Sequence, residues 1–260
     1  MHAVSAAVLV KSIISGGLVG FTLGLIGGGG SILAVPLLVY FVGYAKHPHT
    51  AVGTTAVAVA VNALIAIVPH VRGKTVQFQP GIYFALAGIL GAALGSKLGL
   101  MVEGGHLLFL FALLMLVISV LMWRRGDRPQ QQAQSTDTGA GFPFARVFGT
   151  GFVVGAASGF FGIGGGFLVV PGLIASAGLS TIAAVGTSLL SVFAFGATTA
   201  IQYALAGKVD VGVAALFIVG GMLGGMLGAA AGRKIGSARL GRVFSAVLVV
   251  IAIYMMVKQA

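Results

Sequence analysis

Residues 24–36 read GLIGGGGSILAVP, and residues 159–171 read GFFGIGGGFLVVP. Both stretches set a run of glycines inside apolar sequence and close on a proline, Pro36 or Pro171. A glycine in a helix interior costs about 1 kcal/mol relative to alanine, so each run interrupts any helix that reaches it. In hydrocarbon, the backbone groups freed by such a break need protein partners or a water-filled cavity. Broken helices at corresponding places in two halves of a chain point to a binding site between the halves.

Outward from the glycines, the two stretches keep matching in the same order. Ala51-Val52-Gly53-Thr54-Thr55 answers Ala184-Val185-Gly186-Thr187-Ser188, and Gly73-Lys74 answers Gly207-Lys208. A ladder of Gly91, Gly95 and Gly99 answers Gly224, Gly228 and Gly232. Ordered matches at a nearly constant offset read as an internal duplication. The chain therefore divides into a first repeat over 1–123, a hydrophilic linker over 124–141 and a second repeat over 142–260, together one membrane transport domain. The linker carries RRGDRPQQQAQSTDT from Arg124, a composition of flexible connectors.

The surrounding composition decides the class. Of the 260 residues, 58% are hydrophobic and 7% charged, with a mean hydropathy of +1.10, far too little charge to cover a water-soluble surface. Apolar runs at 81–102, 107–123, 180–206, 211–232 and 240–257 are long enough for bilayer-spanning helices. The expected fold is an all-α integral membrane protein of two homologous four-segment helical repeats. Each repeat opens with a Gly-broken segment, 13–43 or 147–178, and continues with three unbroken ones. Lys11 inside the first apolar stretch and the lack of a cleavage site argue against a removable signal peptide.

Two arrangements of the broken segment are open. If it crosses the bilayer, each repeat has four spans and both face the same way; if it is re-entrant, each has three and they are inverted. The re-entrant arrangement gathers Arg72, Lys74, Arg124, Arg125, Arg128, Arg146, Arg233, Lys234, Arg239 and Arg242 on one side and leaves five basic residues opposite. That is the cleaner segregation by the positive-inside rule. The same placement of Lys and Arg between apolar runs accounts for the net charge of +11 and speaks against nucleic acid as a partner.

The candidate substrate-binding residues come in pairs. Gly28, Gly29, Gly30 and Ser31 in one half, and Gly164, Gly165 and Gly166 in the other, would present backbone N–H groups at the start of short helices, where the partial positive charge favours anions. Thr54 and Thr55, with Thr187 and Ser188, would add hydroxyl donors without fixed charge, although such hydroxyls also bond back to the preceding turn. Asn62 and Gln202 are polar within apolar runs, and Lys74 and Lys208 recur just past a span; these are accessory candidates. Phe195 stands at the position in the second repeat that answers Asn62, so Asn62 belongs to no symmetric site. The glycine ladders have the spacing of close helix packing.

Absences narrow the chemistry. The only acidic residues are Glu103, Asp127, Asp137 and Asp210, none deep in an apolar run, so a cation carrier or carboxylate proton relay is disfavoured against an anion carrier. There is no cysteine, which excludes disulfides and thiolate metal sites. His47 and His49 are two apart in a loop, a weak metal spacing, and no nucleophile–base constellation suggests an enzyme. No cofactor is expected. The expected partners are a small anion and the lipid bilayer, with homo-oligomerisation left open.

At Gly27–Ser31 with Pro36, at Gly162–Gly166 with Pro171, and at the Val-Gly-Thr-Thr and Val-Gly-Thr-Ser runs, the sequence resembles the sulfite exporter TauE/SafE family of membrane permeases. The resemblance covers nearly the whole chain apart from the linker. It implies transport of a sulfur-containing anion such as sulfite, thiosulfate or an organosulfonate across the bacterial cytoplasmic membrane. The first motif has Gly28 where Ile163 stands and Ser31 where Gly166 stands, so the halves need not contribute equally. A secondary transporter is the leading expectation; an anion channel and a non-transporting membrane accessory protein are the alternatives.

Overall fold

The structure is a computed structural model that describes residues 6–125, 143–232 and 237–259. Its elements are α1 (Ala6–Ile26), a 3-10 segment (Gly27–Leu33), α2 (Ala34–Pro36), a π-helical segment (Leu37–Val42), α3 (Pro48–Arg72), α4 (Phe78–Met101) and α5 (Gly104–Arg125). The second half follows with α6 (Phe144–Phe161), α7 (Gly166–Ala177), α8 (Thr181–Leu205), α9 (Val211–Gly232) and α10 (Ser237–Gln259). Every regular element among the described residues is helical, as the apolar runs require: in hydrocarbon a lone helix satisfies its own backbone. Six of these helices are long and apolar enough to cross a membrane. α5 runs on through Arg124 and Arg125, the first two residues of the expected linker 124–141; residues 126–142 lie outside the described residues.

Each broken segment resolves into two helical pieces. The first piece, α1 or α6, has the length and hydropathy of a span. The second is short: the 12 residues of α7 extend about 18 Å, against about 30 Å of hydrocarbon. The pieces fold back on one another. A Cβ added to Gly30 would overlap the backbone of Thr22 and Leu23 in α1, and one added to Gly165 would lie 2.8 Å from Ser158 in α6.

The directions of the helices follow from which residues meet. α3 and α8 run antiparallel, with Gly53 against Tyr203 and Lys208 at one end and Gly186 against His70 and Thr75 at the other. α6 runs parallel to α4, Gly151 meeting Phe84, Gly155 meeting Gly88 and Gly159 meeting Ala92. α1 runs parallel to α9, Gly16 meeting Phe217 and Gly20 meeting Gly221. The bundle thus has an Asp210 end, where α3 and α9 begin, and a Gln77 end, where α4 and α8 begin.

The hairpin 144–177 enters and leaves at the Gln77 end. Phe144 packs edge-on against Tyr83 at its start, and the helix that follows it, α8, begins beside α4. The hairpin 6–42 enters and leaves at the opposite end: Lys11 lies over the Phe41 ring, and Tyr44 bonds to Asp210. Of the two arrangements the sequence leaves open, the broken segments take the returning one, and α3 and α8, like α4 and α9, point in opposite directions.

Packing explains the glycine ladders. A Cβ on Gly91, Gly95 or Gly99 of α4 would overlap backbone of α6, and one on Gly224 or Gly228 of α9 would overlap backbone of α1. The glycines let these helices touch main chain to main chain, the close approach that membrane helices use for van der Waals contact. The opposite face of α4 carries Leu86, Leu90, Leu94 and Leu98, each at least half exposed. An exposed leucine stripe backing a buried glycine stripe is what a lipid solvent outside and a packed bundle inside demand.

Candidate functional site

The second glycine break lies in the interior of the bundle. Its tip, Gly162, touches Val52 in the second turn of α3, and Gly164 reaches Val59 near the middle of α3 and Val192 near the middle of α8. The chain therefore descends through the break from near the Asp210 end to mid-depth, where α7 begins. Gly162, Gly164 and Gly165 all have left-handed backbone, φ +68°, +64° and +70°. Only glycine adopts this readily, so the sequence Gly-Ile-Gly-Gly is what permits three such turns in four residues. Between them Ile163 is fully buried and anchors the turn in the core.

Helix α7 starts cleanly. Gly165 is its N-cap, and the Gly165 carbonyl accepts from the N–H groups of Leu168 and Val169. The first N–H groups of any α-helix have no partner within it and carry the positive end of the helix dipole. Here that end opens at mid-depth, against α8 and α6, at the segment holding Gly164, Gly165 and Gly166.

The first break is built differently. Gly28, Gly29, Gly30 and Ser31 lie within the 3-10 segment rather than at the head of an α-helix, and Gly30 has no left-handed φ. Pro36 follows and lacks an N–H, so the α-type bond of that residue is missing, and the chain passes into π-type turns at Leu37–Val42. Gly30 and Ser31 are buried, and this segment packs against α7 and α8. The two breaks thus meet in the interior.

The paired hydroxyls fall into two kinds. Thr54 accepts the Asp210 N–H at 2.9 Å, and Thr187 accepts the Gln77 N–H at 2.9 Å. Each therefore ties the start of α9 or α4 to a crossing helix of the other half, and each keeps an O–H to donate. Thr55 donates to Ala51 and Val52 carbonyls, and Ser188 to the Val185 carbonyl. Thr55 shares a stripe of α3 with Val52 and Val59, the residues that touch the second break, and Ser188 shares a stripe of α8 with Val192.

The accessory candidates do not converge. Lys74 and Lys208 are exposed at opposite ends of the bundle, and Gln202 is half-buried near the end of α8. Asn62 is buried where a Cβ on Gly221 of α9 would sit, as Phe195 fills the notch over Gly88 of α4. The pair matches in position but not in chemistry.

Sequence reading passed over several polar groups in the interior. Ser158, Ser191, Thr199 and Tyr203 are fully buried, and their hydroxyls have no hydrogen-bond partner. The signal was faint, since buried Ser and Thr usually bond their own helix, as Ser12, Ser119 and Ser176 do here. At the Asp210 end, Tyr44 donates to one Asp210 carboxylate oxygen, while the other accepts the Val213 N–H and caps α9. Burial and the neighbouring carboxylate push the Tyr44 hydroxyl above its ordinary pKa. Among the described residues no three His, Cys, Asp or Glu side chains gather to hold a metal ion.

Comparison with known proteins finds a matching family model and relatives named as membrane transporters. The family model described as "Sulfite exporter TauE/SafE" matches residues 12–255. A "Probable membrane transporter protein" of Xylella fastidiosa (strain Temecula1) is 46% identical over 249 residues, covering 95% of this chain and 94% of that one. The "Probable membrane transporter protein YunE" of Bacillus subtilis (strain 168) is 28% identical over 253 residues, covering 90% and 93%. No solved structure matches the chain. These proteins are named as membrane transporters, not enzymes.

Proposed function

The chain belongs to the sulfite exporter TauE/SafE family, and from that premise we propose a secondary permease for a small sulfur-containing anion, such as sulfite, thiosulfate or an organosulfonate. It is a multi-pass protein of the cell membrane, and its homologues carry transporter names. The observation that carries the anion reading is the N-terminus of α7, opening at mid-depth of the bundle beside the left-handed Gly164 and Gly165. A helix start in a low-dielectric interior favours a negative ligand.

In this reading the anion lies between Gly28–Ser31 and Gly164–Gly166. Thr54 and Thr55 lie toward the Asp210 end and Thr187 and Ser188 toward the Gln77 end, so in this reading each hydroxyl pair meets the anion on its own side of the breaks. The halves are read as two copies of one unit, supported by the crosswise pairs α1–α9 and α6–α4 and by the matching Thr54–Asp210 and Thr187–Gln77 bonds. Two hairpins inserted from opposite ends suit alternating access, with one leaning against the other around the site. One chain supplies both breaks, so the mechanism needs no second copy.

Arg72 closes α3 and Lys74 follows it, Arg146 lies in the first turn of α6, and α5 ends at Arg125, all at the Gln77 end. By the positive-inside rule that end is cytoplasmic. The natural chain has no cysteine, so Thr75→Cys and Lys46→Cys give single labels; an impermeant maleimide on intact cells should mark Lys46→Cys alone. The function is tested with purified protein in liposomes. Saturable uptake of sulfite, thiosulfate or methanesulfonate is expected; no uptake of any of them overturns the permease reading, and large non-saturating conductance replaces it with a channel.

A further inference from the structure

Toward the Asp210 end, two buried polar atoms lie close together without partners. Tyr203, in the last turn of α8, is fully buried, and its hydroxyl makes no hydrogen bond. His49, in the first turn of α3, is half-buried; its ring donates to the Val102 carbonyl, and its Nδ1 is buried with no partner. The two ring centroids are 6.3 Å apart. Thr55 and Ser188 satisfy their hydroxyls on their own helices, but a tyrosine hydroxyl stands too far from its own backbone to do so.

Tyr203 also reaches the second hairpin. A Cβ on Gly99 of α4 would lie 3.2 Å from the Tyr203 hydroxyl and 2.5 Å from the Phe160 carbonyl oxygen, so both oxygens border one notch. Phe160 is in the last turn of α6, where carbonyls lack a partner further along the helix. Two residues on, Gly162 begins the left-handed turns of the break.

We propose that His49 is a proton-binding site that sets, through the Tyr203 hydroxyl, whether the tip of the second hairpin is held at Phe160. With Nε2–H given to Val102, a neutral imidazole presents Nδ1 as an acceptor, and a protonated one presents Nδ1–H as a donor. A hydroxyl serves either state. When His49 is neutral, the Tyr203 O–H is spent on Nδ1 and the tip is free. When His49 is protonated, Tyr203 accepts from Nδ1–H, and its own O–H donates to the Phe160 carbonyl and latches the tip. The inference goes beyond the permease reading and depends on no particular anion. With the Gln77 end cytoplasmic, the latch samples the pH outside the cell.

The other charged groups of this end are engaged elsewhere or exposed. Lys208, whose charge acts on His49, is exposed, as are Lys46, His47 and Lys97. Lys11 lies over the Phe41 ring, Glu103 pairs with His106, and Asp210 accepts from Tyr44 and Val213.

Amide hydrogen exchange of the purified full chain at about pH 5.5 and about pH 7.5, either side of the ordinary imidazole pKa of about 6.5, tests the latch once the intrinsic effect of pH on exchange is divided out. Protection of residues 160–166 is expected to rise about tenfold at the lower pH, the scale of one hydrogen bond. His49→Gln and Tyr203→Phe should each lose that rise, and His47→Gln should keep it. Should Tyr203→Phe fail to fold, His49→Gln carries the readout from another helix. In liposomes, whichever anion is carried, the ratio of Tyr203→Phe uptake to natural-chain uptake should rise several-fold from the higher pH to the lower. Protection that ignores pH in the natural chain, an unaltered response in both variants, or a constant uptake ratio overturns the latch. Protection as expected without flux of any anion leaves the latch standing and overturns the permease; flux with protection indifferent to both substitutions does the reverse.

Discussion

The two glycine breaks solve one problem in two ways. At 162–165, three left-handed glycines and a buried Ile163 turn the chain sharply, and a clean helix α7 starts in the interior. At 27–42, four glycines and a serine run through 3-10 geometry, and after Pro36 the chain loosens into π-type turns. A single substitution pattern, Gly28 for Ile163 and Ser31 for Gly166, separates the two. One side chain fixes where the second turn folds; without it, the first spreads its irregularity over 16 residues from Gly27 to Val42. The second half therefore presents one helix start at mid-depth, and the first presents a run of 3-10 and π-type turns.

The largest expected effect tests what limits each break. Gly30→Ala drives a methyl into the backbone of Thr22 and Leu23, which no side-chain shift relieves. A loss beyond about 4 kcal/mol follows, seen as absence of monodisperse protein on size exclusion. Gly165→Ala meets the Ser158 and Phe195 side chains and a left-handed φ, so a loss of about 3 kcal/mol is expected, read as a lowered Tm. Adding Ser158→Gly should recover part of the second loss, whereas Thr22→Ala should recover none of the first. Rescue of Gly30→Ala by Thr22→Ala would erase the distinction.

Next in size is the pair over the glycine notches. Phe195→Ala empties a large buried ring and should cost about 3–5 kcal/mol, while Asn62→Ala, at the matching place, should cost about 1 kcal/mol. Equal losses would mean that the two notches are packed alike after all. Thr54→Val and Thr187→Val each orphan an N–H at the start of α9 or α4 and should lower stability by about 1–2 kcal/mol, equally in both halves. A clear inequality in thermal melts would place more of the fold's stability on one crossing. Smallest is Tyr44→Phe, about 1 kcal/mol, since the group is only half-buried; Leu179, one residue past Gly178 as Tyr44 is past Gly43, has no hydroxyl to lose.

Much of the fold was legible in residues alone. Four consecutive glycines are too costly for a helix interior, so the breaks could be located to the residue. The ladders Gly91/Gly95/Gly99 and Gly224/Gly228 had the period of one helix face, and that face is where α4 meets α6 and α9 meets α1. The course of the broken segments was not legible. An apolar run of some 30 residues has the same composition whether it continues or turns back, and only the charge asymmetry of the loops favoured the return. The candidate site was only partly legible in the sequence. Glycine breaks and paired Thr/Ser runs stand out in the sequence, but Ser158, Ser191 and Thr199 look like any serine or threonine on a membrane helix. What sets them apart is a missing partner, which depends on every neighbour.

The sequence by itself determined a helical membrane protein interrupted twice by glycine, because hydrophobicity, glycine cost and loop charge are local properties of the chain. Only the tertiary structure decided that the two interrupted segments enter from opposite ends and that α7 opens at mid-depth. Direction and depth come from which helices share a close backbone contact, Gly20 with Gly221 and Gly155 with Gly88, and such contacts join residues far apart in the chain.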